Sequence, residues 1–140
     1  MRCSTNDVHG KVRKMAVLCG VDIVEIDRIR RSFDSCGESF RNRVFTENEI
    51  NYCESKKIVR FESYAARFAA KEAVSKAFGT GISDGIKWRD IEILNEPQGK
   101  PYVVLSERAR EIYEKMNARG ISLSLSHCKS YAVAYAVIEV

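Results

Sequence analysis

Hydrophobic and polar positions along the chain follow two periods, and the switches between them mark out the elements. Residues 15–26 form a branched apolar run that reads as a buried strand, with one carboxylate, Asp22, set inside it. Residues 27–40 are charged with scattered apolar positions and predict a short helix. Thr46 followed by Glu49 is a capping box that opens a second helix through Glu54. The strongest helical pattern spans residues 61–78, with six alanines, no internal glycine or proline, and Gly79 where a helix ends. The three glycines within residues 79–85 then predict a loop. Residues 88–94 read as a strand, 95–101 carry turn chemistry and 101–105 resume extended structure, which makes a hairpin. Ser106 is expected to cap a helix ending at Gly120. Beyond it, Ile121, Leu123 and Leu125 alternate with Ser122, Ser124 and Ser126, the period of a strand with one buried face. A tight link at 128–130 leads into a last strand, 131–140.

These elements describe an α+β fold, a mainly antiparallel sheet packed against a long central helix. With 140 residues, one domain is the expectation: residues 15–140, preceded by an N-terminal extension over 1–14, with Met15 as an alternative start. A chain 45% hydrophobic and 30% charged, with two prolines, excludes disordered and fibrous classes. The five cysteines are odd in number and scattered, with no C-x-x-C pair, so they read as free thiols of a reducing, cytoplasmic protein and not as a zinc or redox site. A basic stretch precedes the apolar run at 15–21, but Asp22 interrupts it before it reaches the length of an export signal. No stretch approaches the length of a membrane span. A net charge of +4 favours an acidic partner or a phosphate-bearing ligand. The basic residues form no block and are not interleaved with aromatics, so neither nucleic acid nor membrane is expected as a partner.

Two carboxylates stand out. Asp22 lies between Val21 and Ile23, and burying it bare would cost several kcal/mol, roughly, so it needs a cation, a proton or several donors. Glu72 stands in the alanine-rich helix, four residues before Lys76. Taken singly, Asp22 fits a local hydrogen bond to a turn and Glu72 an intrahelical ion pair with Lys76. Taken together they offer two oxygen ligands on separate elements, which leaves a hard cation most of its coordination sphere for water and phosphate. Arg67, Lys71 and Lys76, with the loop Phe78-Gly79-Thr80-Gly81, are cations and backbone placed to meet a diphosphate. His127 has the parity of the apolar residues in its strand, where a histidine is ordinarily a core residue, and Lys100 ordinarily a solvated turn tip.

Several segments resemble the holo-acyl-carrier-protein synthase family of phosphopantetheinyl transferases. They are Gly20-Val21-Asp22-Ile23-Val24-Glu25-Ile26 with Arg28-Ile29, then Arg67-Phe68-Ala69-Ala70-Lys71-Glu72-Ala73 with Lys76-Ala77-Phe78-Gly79-Thr80-Gly81. Trp88-Arg89-Asp90-Ile91-Glu92-Ile93, Gly99-Lys100-Pro101-Tyr102 and Ser124-Leu125-Ser126-His127 continue the likeness in unbroken order to the C-terminus. The resemblance implies the 4'-phosphopantetheinyl transferase-like fold and a magnesium-dependent reaction of fatty acid biosynthesis. A serine of apo-acyl carrier protein attacks the β-phosphate of coenzyme A, and adenosine 3',5'-bisphosphate leaves. It also implies Asp22 and Glu72 as metal ligands, Glu72 and Lys76 as catalytic groups, and Lys76 at the diphosphate. Arg67, Lys100, Pro101 and His127 then line the coenzyme A nucleotide. Either Glu72 or a metal-bound water takes the serine proton. Members of the family form homotrimers with sites between subunits, and basic residues of the first helix, here Arg28 and Arg31, meet the acidic carrier.

Two other functions compete with this one. A non-catalytic nucleotide or nucleic-acid binding module would explain the basic balance, although paired carboxylates repel phosphate unless a metal intervenes. The same chemistry directed at polyketide or peptide-synthesis carriers is the other, while the short single domain resembles the fatty-acid type.

Overall fold

The computed structural model describes residues 16–140; the expected extension over 1–14 and the start at Met15 lie outside the described residues. The chain runs β1 (Val17–Glu25), α1 (Ile26–Val44), α2 (Glu47–Ser55), α3 (Arg60–Ala77), β2 (Ile91–Asn95), β3 (Pro101–Leu105), α4 (Glu107–Lys115), β4 (Gly120–His127) and β5 (Tyr131–Glu139). Short 3-10 turns precede α3 (Lys57–Val59) and β2 (Trp88–Asp90). The strands form two antiparallel sheets, β1-β5-β4 and β2-β3. The α+β expectation holds, with α3 as the central helix.

Small side chains set the spacing of the core. Ala65, Ala69, Ala70 and Ala73 of α3 are buried against Ala132, Ala134 and Ala136 of β5. At Gly20 of β1 the approach is closer still: a Cβ there would lie 2.7 Å from the Ala77 nitrogen and nearer yet to the Ala73 carbonyl oxygen. Strand β1 therefore lies directly on the backbone of α3, which only glycine permits. In β1, Leu18, Gly20, Asp22 and Val24 share the face turned toward the helix, and Val17, Cys19, Val21 and Ile23 face outward. Asp22 pairs across the sheet with Ala134, and Ala134 with Leu125.

The opposite side of α3 is held by charge. Lys71 and Glu49 are both wholly buried, with Nζ 2.8 Å from Glu49 Oε2. Lys71 also donates to the carbonyls of Trp88 (3.1 Å) and Ile91 (2.7 Å), so its three ammonium protons have three acceptors. Glu49 accepts in turn from the Ile93 nitrogen (2.8 Å) and from Thr46, completing the expected capping box of α2. One ion pair thus joins α2, α3 and β2. Burial pulls the Lys71 pKa down, and the charge of Glu49 opposes that shift.

Three boundaries differ from the sequence expectation. Helix α1 continues past Phe40 to Val44, because Phe40 and Val44 both bury, and a non-helical residue, Gly37 (φ 52°), interrupts it. The strand expected over 88–94 begins only at Ile91; residues before it form a 3-10 turn closed by the Asp90 carboxylate, which accepts from the Lys87 nitrogen at 3.0 Å. Helix α4 stops at Lys115 instead of reaching Gly120, since Asn117 takes the left-handed conformation (φ 55°) that ends it, and Gly120 opens β4.

Candidate active site

The close seating of β1 on α3 puts Asp22 beside the helix turn that carries Glu72 and Lys76. Lys76 Nζ is 2.9 Å from Asp22 Oδ1 and 3.0 Å from the Val21 carbonyl oxygen, so the lysine bonds to the strand. The Asp22 side chain is mostly buried and that of Lys76 half exposed. Burial, and then the charge of Asp22, raises the Glu72 pKa above the ordinary carboxylate range, while Lys76 and Arg28 pull it down. Two neighbouring carboxylates that repel one another would be relieved by a cation, so the residues present fit a divalent ion. Among the described residues no group of three or more His, Cys, Asp or Glu side chains is placed to hold a metal, so an ion here has at most these two protein carboxylates. Helix α3 ends at this site: Phe78 caps it, the Gly79 nitrogen donates to the Lys76 carbonyl at 2.9 Å and the Gly81 nitrogen to that of Ser75 at 3.0 Å.

A second feature opens on another face of the same helix. Arg67 and Lys76 are nine residues apart, which places them on opposite faces of α3 and about 13.5 Å apart along its axis. Arg67 is only 3% exposed, donates to Asn95 Oδ1 at 2.6 Å and stacks its guanidinium 4.0 Å over the Tyr52 ring, while its Nε has no partner. Lys56 Nζ lies 4.6 Å from the centre of that ring. These groups line a cavity of about 630 Å³ together with His127, Cys128 and Lys129, where β4 turns into β5. An excess of cations around an aromatic ring and a buried, half-satisfied arginine suits a phosphorylated nucleoside. Cys128, exposed at the same turn, has its thiol pKa lowered by hydrogen bonds from the Ser130 and Tyr131 backbone.

The structure thus brings together Asp22, Glu72 and Lys76 in one place, and Arg67 and His127 in another. His127 has core parity, yet it is the last residue of β4 and is exposed at the cavity. Lys100 and Pro101 do not line that cavity; their hairpin reaches it through Asn95, whose side chain donates to the Gly99 carbonyl at 2.9 Å. Lys71, placed by the sequence reading among cations for a diphosphate, is instead consumed in the buried pair with Glu49. Arg28 and Arg31 line a smaller cavity of about 320 Å³ with Ile23 and Tyr131. Tyr52, Lys56, Asn95 and Lys129 escaped sequence reasoning. They come from two elements, α2 and β2, and from two turns, and the Arg67–Asn95 bond closes over 28 residues, so no local spacing could have signalled them.

Comparison with known proteins bears on this geometry. The family model of the 4'-phosphopantetheinyl transferase superfamily matches residues 18–136. A holo-[acyl-carrier-protein] synthase of Ruminiclostridium cellulolyticum is 58% identical over 125 residues, covering 89% of this chain and 93% of the relative. Among solved structures, the Helicobacter pylori holo-[acyl-carrier-protein] synthase in complex with coenzyme A superposes with a TM-score of 0.77 at 34% identity, covering 86% of this chain and 99% of that one. The Bacillus anthracis holo-(acyl-carrier-protein) synthase, in complex with CoA (3',5'-ADP), gives a TM-score of 0.73 at 41% identity, over 89% of this chain and 97% of that one. These likenesses favour a transferase over a non-catalytic nucleotide or nucleic-acid binding module. By family match, sequence and fold, the chain belongs to the 4'-phosphopantetheinyl transferase superfamily, within its holo-[acyl-carrier-protein] synthase family.

Proposed function

We propose that this chain transfers the 4'-phosphopantetheine group of coenzyme A to a serine of apo-acyl carrier protein. The serine hydroxyl gives up its proton to Glu72 or to a water at the site, its oxygen forms a bond to the β-phosphorus, the bond from that phosphorus to the bridging oxygen breaks, and adenosine 3',5'-bisphosphate leaves with the electron pair. The observation that carries this reading is the meeting of Asp22, Glu72 and Lys76 at the β1–α3 junction, in a chain so close to named holo-[acyl-carrier-protein] synthases.

Asp22 and Glu72 are the groups that would hold magnesium, which supplies positive charge to the diphosphate oxygens when bound. Lys76, half exposed on the same helix turn, neutralises developing charge on the leaving side. Phosphoryl transfer asks a protein chiefly for position and charge, and a rigid strand seated on a helix provides both. The basic cavity around Arg67, Tyr52 and His127 suits the nucleotide of coenzyme A, with Lys100 and Pro101 at its outer approach.

On one chain, that cavity and the carboxylates face apart, so a single coenzyme A molecule is best served by two subunits. The outer face of the β1-β5-β4 sheet supports assembly: Val21 is 55% exposed, Ile23 64% and Tyr135 45%, an apolar surface that a symmetric homotrimer would cover. Arg28 and Arg31, beside this face, suit docking of an acidic carrier. The described cysteines are all free, which suits the cytoplasm, and no helix among the described residues is long and apolar enough to cross a membrane.

The test is to incubate the protein with apo-acyl carrier protein, coenzyme A and magnesium and to weigh the carrier. A mass gain of one phosphopantetheine group is expected, abolished in Glu72→Gln and Asp22→Asn and depressed in Lys76→Ala. No gain where a control enzyme succeeds refutes the proposal, and near-normal turnover in all three variants refutes the site.

A further inference from the structure

The chain leaves α3 through a loop, residues 78–87, whose near end is bonded back to the turn that carries Lys76. The Lys76 and Ser75 carbonyls accept from the Gly79 and Gly81 nitrogens, and the Ser75 hydroxyl donates in turn to the Glu72 carbonyl at 2.8 Å. Order in this loop is therefore order in the last turn of the helix. The loop is costly to hold. Gly79, Gly81 and Gly85 all take positive φ, and Asp84 adopts the left-handed conformation (φ 55°) although it has a side chain.

Ile82 and Ile86 pack toward the core, and residues 83–85 between them form an exposed crest. Among the described residues, every hydrogen bond that reaches this crest from outside the loop comes from one side chain, Arg108 in the first turn of α4. Its Nε donates to the Asp84 carbonyl at 3.0 Å and its Nη2 to Asp84 Oδ2 at 3.1 Å, so the guanidinium forks across main chain and side chain of one residue. Its Nη1 is held by Glu111 at 3.0 Å. The stem lies along Gly85, where an added Cβ would stand 3.5 Å from Arg108 Cγ. A single exposed ion pair restrains little, but a planar fork with three acceptors defines one geometry.

We propose that Arg108 is a positioning residue for phosphopantetheine transfer: by pinning Asp84 it fixes the loop that braces the Lys76 turn, and so sets where the charge of that lysine meets the diphosphate. This rests on the assignment of Lys76 to the diphosphate of coenzyme A. The effect is confined to one end of the site, because Arg67 and its cavity lie on the opposite face of α3, about 13.5 Å away along the axis. Freeing the loop therefore slows the chemical step and leaves nucleotide binding alone.

The experiment measures steady-state transfer to apo-acyl carrier protein, and calorimetric affinity for adenosine 3',5'-bisphosphate, in the intact wild type, Arg108→Ala, Lys76→Ala and the double variant. Arg108→Ala should lower kcat about tenfold. Its nucleotide affinity should stay within about twofold of the wild type. In the double variant the loss should be no greater than in Lys76→Ala alone, since nothing is left for Arg108 to position. Arg108→Lys keeps the charge without the fork and should fall between the wild type and Arg108→Ala. An unchanged kcat in Arg108→Ala overturns the proposal. So does a full Arg108→Ala loss on top of Lys76→Ala, or a parallel loss of nucleotide affinity. Should Arg108→Ala fail to fold, Arg108→Lys, alone and with Lys76→Ala, carries the same comparison. Absence of transfer by the wild type removes the reading of the chain as a transferase, whereas wild-type transfer with an unchanged Arg108→Ala removes the role of Arg108 alone.

Discussion

Replacing Gly20 by alanine adds a single methyl group where β1 lies against α3. That carbon would stand 2.7 Å from the Ala77 nitrogen and closer still to the Ala73 carbonyl oxygen, distances that real side chains essentially never show. Both neighbours are helix backbone, so neither can rotate away, and the strand must retreat by something on the order of 1 Å. Overpacking of this kind costs about 1–3 kcal/mol, and more where backbone must move. The same retreat carries Asp22, two residues along on the same face, away from Glu72 and Lys76, and a displacement of that size at a reacting centre can lower a rate by about a hundredfold. Urea unfolding should therefore show a lower midpoint, and transfer to the carrier protein should slow even where the variant is fully folded. Gly120→Ala, with no atom within 4 Å of the added carbon, is the control and should be nearly silent. A Gly20→Ala protein with unchanged midpoint and unchanged transfer rate would refute the account of strand and helix spacing.

Removing the buried cation in Lys71→Met leaves the Glu49 carboxylate uncompensated and takes one donor from each of the Trp88 and Ile91 carbonyls, of which Trp88 keeps the Ile91 nitrogen. A loss of about 3–5 kcal/mol is expected in urea unfolding, and a loss below about 1 kcal/mol would contradict the pairing. Thiol reactivity should divide the cysteines: Cys53, whose pKa burial pushes up to about 12, resists iodoacetamide in the native protein, while Cys128, its pKa lowered, is alkylated well before it at about pH 7.5. The Cys128 rate should rise with pH as thiolate forms and drop when adenosine 3',5'-bisphosphate fills the adjoining cavity. Peptide mapping by mass spectrometry reads both effects, and equal labelling of Cys53 and Cys128 would overturn them.

Much of this was legible in the chain because it is local. The capping box at Thr46 and Glu49, the alanine-rich helix ending before Gly79 and the serine alternation of β4 each announce themselves within a few residues. Asp22 and Glu72 stood out as charges in runs that bury, which is a conflict between pattern and chemistry and hence visible without coordinates. Lys71 read as one of the cations for a diphosphate, and its partner Glu49 lies 22 residues earlier and already wore a local explanation as part of a cap, so the pair stayed hidden. The stop at Asn117 was missed because asparagine tolerates the left-handed conformation less conspicuously than the glycine three residues on. The cavity was half seen: Arg67 and His127 came by resemblance, whereas Tyr52 and Asn95 owe their place to packing between α2, α3 and β2.

The opposed faces of α3 have a genetic consequence. If one subunit lends its carboxylates and its neighbour the nucleotide cradle, then Asp22→Asn and Arg67→Ala chains, each inert alone, should rescue one another when unfolded and reassembled together. Random mixing in equal amounts restores roughly a quarter of the junctions, since half the subunits keep each half-site intact. A helix that turns its two functional surfaces away from each other would then make cooperation between molecules a condition of having any active centre at all.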